Sequence, residues 1–349
     1  MGAKLIHGGE LSDKTINIDL DYSVNLSPLG TPDAVKEKIE DSLFRVKNYP
    51  EYSNMTLKSS ISQMWNVSPD MVLCTSGASE AFLAIAHALM PRRSVLAAPS
   101  FYGYEYCLNA VKSEIIYFDI SWQEQFVINE KIADLLTKDT EMVFLGYPNN
   151  PTGKVIDASV LKSILKRCHT FGIYLVLDIS FCELSTANSP DFSELILEFP
   201  RLIVVNSFTK TFAIPGVRAG YVICDRELAD RISGHLPEWN LSVPAIEAAC
   251  KCAEILKESK YLDNLHELIT NERDYLTQEL SDVGIKVYDS DTVFLLVQTK
   301  VPLYDRLIEE GILIRKCDNF RGLGSDFYRI AIKTHEENIR LVDAIHRIF

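Results

Sequence analysis

Residues 202–224 read LIVVNSFTKTFAIPGVRAGYVIC, and this stretch decides the fold class. It holds two apolar runs, 202–207 and 220–224, on either side of a loop that carries Lys210 and Arg218. Near-continuous Val, Ile and Leu without polar alternation is typical of strands that are buried on both faces. A lysine soon after such a strand is unusual, because lysine is rarely buried unless it has a partner or a task. The stretch therefore predicts two buried strands with a candidate functional group between them.

Similar apolar runs precede this stretch, and helix-like segments such as 79–89 and 159–171 lie between them. Strand and helix alternating in this way predict an α/β domain with a mainly parallel sheet, here of seven strands. The five earlier runs lie at 71–75, 94–98, 114–118, 142–146 and 173–178.

After residue 234 the pattern changes to an α+β layout, which predicts a smaller C-terminal domain. A long helical region at 243–283 precedes short apolar runs and a closing helix from Glu336. The short strands are expected near 286–288, 293–298, 312–315 and 328–332. We predict an N-terminal arm and first helix at 1–40, a large domain at 41–234 and a small domain at 235–349.

Bulk composition excludes several classes of protein. A chain of 349 residues exceeds the size at which a single hydrophobic core usually stops growing, so more than one domain is expected, and 47% of the residues are hydrophobic. No apolar run approaches the roughly 18 residues of a membrane span, and residues 1–10 lack a signal-peptide layout, so a cytoplasmic protein without membrane segments is expected. The net charge of −13 argues against a nucleic-acid partner. Of the eight cysteines only Cys250 and Cys252 lie close together, so no metal site is expected.

Polar motifs follow several of the predicted strands, where open α/β sheets bind ligands. Residues 75–79, TSGAS, open a helix, whose N-terminal N–H groups can bind phosphate, although glycine before a helix is also a common turn. Asp178 is either a helix cap or a functional carboxylate, and residues 150–153, NPTG, are also typical of a simple turn. Lys210 could act as a Schiff-base nucleophile, and Arg218 has a planar fork suited to phosphate.

In this order the motifs resemble those of the fold type I pyridoxal-5′-phosphate (PLP) enzymes, the class I and II aminotransferase family. Ser207 and Lys210, then Gly216 and Arg218, match its lysine motif, and NPTG and Asp178 match two others. The resemblance implies the aspartate-aminotransferase-like fold of PLP-dependent transferases. It also implies that Lys210 holds PLP as an internal aldimine and that Asp178 keeps the pyridine nitrogen protonated.

The resemblance assigns further residues to the cofactor and implies a homodimer. Asn150 would donate to the ring 3′-oxygen, and Phe101 would stack on the ring. Phe181 stands where many aminotransferases carry a tyrosine that hydrogen-bonds the same oxygen. Tyr49 matches a tyrosine that reaches the cofactor phosphate of the partner subunit. The cofactor phosphate in its own subunit would be held by Gly77, Ala78, Ser79, Ser207 and Arg218.

Several segments resemble the threonine-phosphate decarboxylases more than the histidinol-phosphate aminotransferases. They are HGG at 7–9, DYSVNLSPLG at 21–30, Phe181, and GILIRKCDNFRGL at 311–323. The implied reaction converts L-threonine O-3-phosphate to 1-amino-2-propanol O-2-phosphate and CO2, a step of cobalamin biosynthesis. The alternative is a histidinol-phosphate or related amino-acid aminotransferase that uses 2-oxoglutarate.

The same resemblance implies how a small phosphorylated amino acid would be bound. Arg329 matches the arginine that binds the substrate carboxylate, which suits a bidentate guanidinium. The substrate-binding set would be completed by Arg315, His7 and Asn25. Lys316 or Arg321 could add a phosphate contact, but a solvated surface position is favoured for both. A PLP-binding transcription regulator would need an added DNA-binding module, for which this chain has neither spare length nor a basic surplus. A cofactor-free structural protein is disfavoured because Lys210, Asp178 and Arg218 are all present.

Overall fold

The computed structural model describes Gly9 and residues 17–349. His7, predicted to bind substrate, lies outside the described residues. The N-terminal segment holds a short strand β1 (Leu20–Asp21) and two helices, α1 (Asp33–Ser42) and α2 (Met55–Trp65). Strand β1 was not predicted from the sequence, because two residues are too few to give a periodic pattern.

A seven-stranded sheet forms the centre of the molecule, in the order β2-β8-β7-β6-β5-β3-β4. Neighbouring strands from β7 to β4 pair in parallel, whereas β8 is antiparallel to both β2 and β7. The predicted α/β fold with a mainly parallel sheet is confirmed. The strands are β2 (Val72–Thr75), β3 (Arg93–Ala98), β4 (Glu114–Asp119), β5 (Met142–Gly146), β6 (Tyr174–Asp178), β7 (Leu202–Ser207) and β8 (Gly220–Cys224).

Helices cover both faces of this sheet, which is why its strands are apolar throughout. In β5, Val143 and Leu145 face one core cluster and Phe144 faces the other. Successive side chains of a strand point to opposite faces, so burial on both sides requires an unbroken apolar run. The helices of this part are α3 (Ala78–Leu89), α4 (Tyr102–Ala110), α5 (Ala158–Phe171), α6 (Phe192–Glu198), α7 (Phe208–Thr211) and α8 (Arg226–Ser233).

The C-terminal part forms the predicted smaller α+β domain around a four-stranded antiparallel sheet, β12-β13-β10-β9. The helical region expected at 243–283 consists of two helices, and the strand expected near 312–315 is divided. Ile312 and Leu313 pair with β1, whereas Arg315 and Lys316 pair with β13. The elements are α9 (Val243–Ile255), α10 (Ser259–Asp282), β9 (Lys286–Tyr288), β10 (Phe294–Gln298), α11 (Leu303–Glu309), β11 (Ile312–Leu313), β12 (Arg315–Lys316), β13 (Phe327–Ala331) and α12 (His335–Ile348).

Helix α9 packs against α1 and α2 rather than against the small domain. Its buried residues, among them Ala248 and Ala249, belong to the core cluster that also contains the central strands. Leu265 and Ile269 of α10 belong instead to the cluster of the small domain. We therefore propose that the domain boundary lies between α9 and α10, after the residue 234 chosen from the sequence.

Two negative findings concern the described part of the chain. Across residues 17–349, no helix is both long enough and apolar enough to cross a bilayer. In the same range, no three His, Cys, Asp or Glu side chains are grouped closely enough to hold a metal ion.

Candidate active site

A cavity of about 240 Å³ lies at the carboxyl ends of the central strands and is closed by residues of the small domain and of the N-terminal segment. Parallel strands end at the same edge of a sheet, so the polar motifs that follow them converge there. The predicted residues that line this cavity are Asn25, Ala78, Ser79, Phe101, Asn150, Asp178, Phe181, Ser207, Lys210, Arg218, Arg315 and Arg329.

Lys210 lies in the short helix α7, directly after β7. Burial lowers the pKa of its ammonium group to about 8, and the positive charges of Arg329 and Arg218 act in the same direction against the opposing effect of Asp178. The main-chain carbonyl of Lys210 accepts a hydrogen bond from the Ser27 N–H at 2.9 Å, which ties the N-terminal segment to the site. A lysine of this kind is partly neutral near neutral pH and can act as a nucleophile or a base.

Asp178 ends β6, and hydrogen bonds orient its carboxylate. The Tyr104 hydroxyl donates to Oδ2 at 2.7 Å, and the Ser180 N–H and hydroxyl donate to Oδ1 at 3.0 and 2.6 Å. Burial raises the pKa of Asp178, while these donors and Lys210 oppose the rise. The role of helix cap considered from the sequence does not apply, because Asp178 instead presents a carboxylate to the cavity.

Gly77 precedes α3 and lies against the guanidinium of Arg218. Its backbone has φ +79° and ψ 171°, a conformation that is essentially confined to glycine. A Cβ at this position would lie 2.6 Å from Arg218 Nη2. Arg218 Nη1 donates to the Pro215 carbonyl at 3.1 Å, which holds the side chain near the start of α3. Ser207 lies beside them, with its hydroxyl 2.9 Å from that of Thr209.

Arg329 connects the small domain to the large domain and to the N-terminal segment. Its Nη1 donates to Asn150 Oδ1 at 2.6 Å, and its Nη2 donates to the Ser23 carbonyl at 2.7 Å. Burial lowers its pKa to about 10, so the group stays cationic at neutral pH. Neither Arg329 Nε nor the buried Asn25 Oδ1 has a hydrogen-bond partner among the residues that the structure describes.

The two predicted ring contacts are in the cavity, whereas Tyr49 is not. Phe101 packs edge-on against Tyr104 at 5.6 Å, and Phe181 packs edge-on against Phe294 at 5.2 Å. Tyr49 lies on the surface, 81% exposed, with its ring 4.9 Å from that of Trp239. Its place outside the cavity of its own chain is compatible with the expectation that it serves a partner subunit.

Sequence reasoning missed Tyr104 and Ser180, the two residues that bind Asp178. The sequence contains a clue to each. Tyr104 follows the candidate Phe101 by three residues at the start of a helix, where residues three apart lie on the same face. In the pattern Asp-x-Ser, the aspartate often accepts a hydrogen bond from the backbone N–H two residues later. Lys316 has the position outside the cavity that the sequence favoured for it. Its ammonium lies 3.0 Å from Asp305 and over the ring of Tyr304, and it does not line the cavity.

The arrangement fits PLP. Asp178 offers a buried anion for a basic ring nitrogen, and the N-terminus of α3 with Arg218 offers N–H donors and a cation for a phosphate. Gly77 allows the Arg218 guanidinium to lie against the start of α3, where any side chain would collide with it. The unpartnered Asn25 Oδ1 and Arg329 Nε are buried polar atoms of the kind that a bound polar molecule satisfies.

Comparison with known proteins agrees with this geometry. A family model described as aminotransferase class I and II matches residues 17–345. Threonine-phosphate decarboxylase of Salmonella typhimurium is 29% identical over 353 residues, with 98% of this chain and 96% of the relative covered. The solved histidinol-phosphate aminotransferase from Clostridium acetobutylicum has a TM-score of 0.86 at 28% identity, covering 94% of this chain and 98% of the other. The solved L-threonine-O-3-phosphate decarboxylase from Porphyromonas gingivalis has a TM-score of 0.84 at 26% identity, covering 94% of this chain and 98% of the other.

Proposed function

This chain belongs to the class I and II aminotransferase family and is a PLP-dependent enzyme, and we propose that it decarboxylates L-threonine O-3-phosphate. In this reaction the bond between Cα and the carboxylate breaks, CO2 leaves, and a proton takes its place on Cα to give 1-amino-2-propanol O-2-phosphate. The reaction is a step of cobalamin biosynthesis, and we expect it to take place in the cytoplasm.

The observation that carries the proposal is the cationic character of the cavity. The whole chain has a net charge of −13, yet Arg218, Arg315, Arg321 and Arg329 all line this one cavity. If Arg218 serves the cofactor phosphate, the other three remain for a substrate with a carboxylate at one end and a phosphate at the other. Guanidinium groups suit both anions because their planar fork can donate two parallel hydrogen bonds.

The roles of the site residues follow from their positions. We propose that Asp178 pairs with the pyridine nitrogen, Asn150 donates to the ring 3′-oxygen and Phe101 stacks on the ring. Arg329 is proposed to bind the substrate carboxylate. When bound, PLP supplies an electron sink for the pair of electrons left on Cα. Lys210, with a pKa of about 8, can both hold and release a proton near neutral pH, so it is the group proposed to protonate Cα.

Transamination of histidinol phosphate is the second candidate, because the Clostridium acetobutylicum aminotransferase, with a TM-score of 0.86, is as similar in fold as the Porphyromonas gingivalis decarboxylase, with 0.84. The same cations would then bind a phosphate ester, and Lys210 would remove the Cα proton instead of supplying one. The two reactions differ in which bond of Cα is broken. Support for decarboxylation comes from the 29% identity to the Salmonella typhimurium enzyme and from the resemblance of residues 311–323, which bring Arg315 to the cavity.

We also propose that the enzyme is a homodimer in which Tyr49 reaches the partner's site. Several large apolar side chains around Tyr49 are exposed, which is typical of a surface that another subunit covers. Tyr52 packs edge-on against Trp239 at 5.3 Å and extends this surface. Light scattering would measure the oligomeric state, and a monomer with full PLP affinity would contradict the shared site. The exposed residues are Leu43, Phe44, Val46, Tyr49, Tyr52 and Trp239.

The deciding experiment incubates the PLP-loaded protein with L-threonine O-3-phosphate and no keto acid, and it measures CO2 and aminopropanol phosphate. Multiple turnovers that Lys210→Ala lacks are expected. Absence of CO2, together with amine transfer from histidinol phosphate once 2-oxoglutarate is added, would reject decarboxylation in favour of the second candidate.

A further inference from the structure

Arg321 is one of the three cavity arginines left for the substrate, and the proposed function has not yet given it a role of its own. Arg321 lies in the loop between β12 and β13 and lines the cavity together with Tyr117 of β4 and Glu105 of α4. Its guanidinium carbon lies 3.9 Å from the centre of the Tyr117 ring, over the ring face. Stacking on an aromatic face orients a guanidinium while leaving its in-plane N–H donors available.

The acidic groups around Arg321 leave it accessible to an anion. Asp119 is 3.9 Å away, at the limit of an ion pair, and the two side chains are 74% and 57% exposed. Ion pairs between exposed groups are weak and are easily exchanged for a stronger partner. Glu105 hydrogen-bonds to Tyr117, and burial, together with this carboxylate, raises the pKa of the Tyr117 hydroxyl, which keeps the ring neutral beneath the cation.

The neighbouring cations are arranged differently. Arg329 is 6% exposed, and its Nη1 and Nη2 already donate to Asn150 and Ser23. Arg315 is equally buried and donates to Asn319 at 2.8 Å. Of the three arginines left for the substrate, Arg321 is thus the exposed one.

We propose that Arg321 is a specificity-determining residue that binds the distal phosphate of the substrate, with Tyr117 as the platform that orients it. The inference rests on the proposed function in assuming that the substrate is a phosphate monoester, and it deepens that function by assigning the group that recognises the ester. A phosphate dianion displaces Asp119 from Arg321 and gains two charge-assisted hydrogen bonds from the guanidinium fork.

Strand β12, which precedes this loop, provides a matched control. Lys316 precedes Arg321 by five residues and carries the same charge, but it pairs with Asp305 outside the cavity. Arg321→Ala and Lys316→Ala therefore change the net charge equally and differ only in whether the lost charge faces the cavity. Tyr117→Phe and Tyr117→Leu form a second pair, in which only the leucine variant loses the aromatic platform.

The experiment titrates each PLP-loaded variant with L-threonine O-3-phosphate and, separately, with L-threonine, and it follows the cofactor absorbance to obtain the apparent Kd. Arg321→Ala is expected to weaken binding of the phosphate ester about 10- to 100-fold, the loss expected for a hydrogen bond to a charged group. Binding of L-threonine by Arg321→Ala, and of both ligands by Lys316→Ala, is expected to equal that of the wild type. Tyr117→Leu is expected to weaken binding of the ester about two- to fivefold more than Tyr117→Phe, which keeps the aromatic ring.

Equal effects of Arg321→Ala on the two ligands, or equal effects of the two alanine variants on the ester, would overturn the inference. The same titration with histidinol phosphate separates the inference from the proposed reaction. If no CO2 is released but binding of either phosphate ester depends on Arg321 and not on Lys316, decarboxylation fails and the phosphate assignment stands. If CO2 is released and Arg321→Ala keeps the wild-type KM for the ester, the reaction stands and the assignment fails.

Discussion

Replacing Gly77 with alanine is expected to weaken PLP binding while leaving the fold intact. The backbone at φ +79° and ψ 171° is a conformation that costs a non-glycine residue about 1–3 kcal/mol. The new Cβ would lie 2.6 Å from Arg218 Nη2, so the guanidinium must retreat by roughly 0.8 Å to reach ordinary contact at 3.4 Å. Loss of one hydrogen bond to a charged group costs about 1.5–3 kcal/mol, which corresponds to a Kd for PLP raised roughly 10- to 150-fold.

The assay titrates the cofactor-free protein with PLP and measures unfolding by urea in parallel. Gly216→Ala is the matched control, because Gly216 lies two residues from Arg218, has no left-handed backbone, and has no described atom within 4 Å of an added Cβ. This control is expected to bind PLP as the wild type does. A Gly77→Ala protein with wild-type PLP affinity, or a Gly216→Ala protein that is equally impaired, would refute the reasoning that this close approach builds the phosphate site.

Three further perturbations test the groups around Lys210. Tyr104→Phe removes the 2.7 Å hydrogen bond to Asp178 and is expected to weaken PLP binding about tenfold or more. The loss should grow as the pH falls, because the pKa of Asp178, already raised by burial, rises further without this donor; a loss independent of pH in PLP titrations would contradict this. In the cofactor-free protein, the Lys210 pKa of about 8 lies below its ordinary 10.5, so the unfolded state binds more protons between these values and the free energy of unfolding rises with pH there. Lys210→Met should flatten that part of the curve in urea denaturation from pH 7 to 10.5, and a variant whose curve parallels the wild type would show that the lysine is not desolvated. Glu183 accepts hydrogen bonds from Asn206 at 2.8 Å and from Thr211 at 3.5 Å, so Glu183→Ala should lower the free energy of unfolding by about 1–3 kcal/mol. Glu183→Gln should lower it less, because it keeps an acceptor oxygen and removes a carboxyl group whose pKa burial raises. Equal losses in denaturant unfolding would count against this network.

Local pattern predicted the strands well because each central strand is buried on both faces. The runs at 142–146 and 202–207 coincide with β5 and β7. Strand β1 and the division between β11 and β12 could not be predicted, because these two-residue strands are defined only by their pairing with other strands. Leu20 pairs with Ile312 across almost the whole length of the chain. The sequence likewise predicts that helix α9 is the first helix of the C-terminal domain, yet α9 packs on α1 and α2.

The sequence by itself determined the fold class and, through its resemblance to the family, the cofactor, and it predicted Lys210 as the lysine that holds PLP. These properties depend on residues close together in the chain, such as Ser207, Lys210 and Arg218, and on the period of the apolar residues between them. Only the tertiary structure decided which of two nearby cations, Lys316 of β12 and Arg321 of the loop after it, lines the cavity. Lys316 and Arg321 are indistinguishable in sequence, but Asp305 and Tyr304 hold the first outside the cavity, whereas Tyr117 holds the second at its mouth. The partners that direct a long, flexible charged side chain come from distant parts of the chain, and no local pattern encodes them.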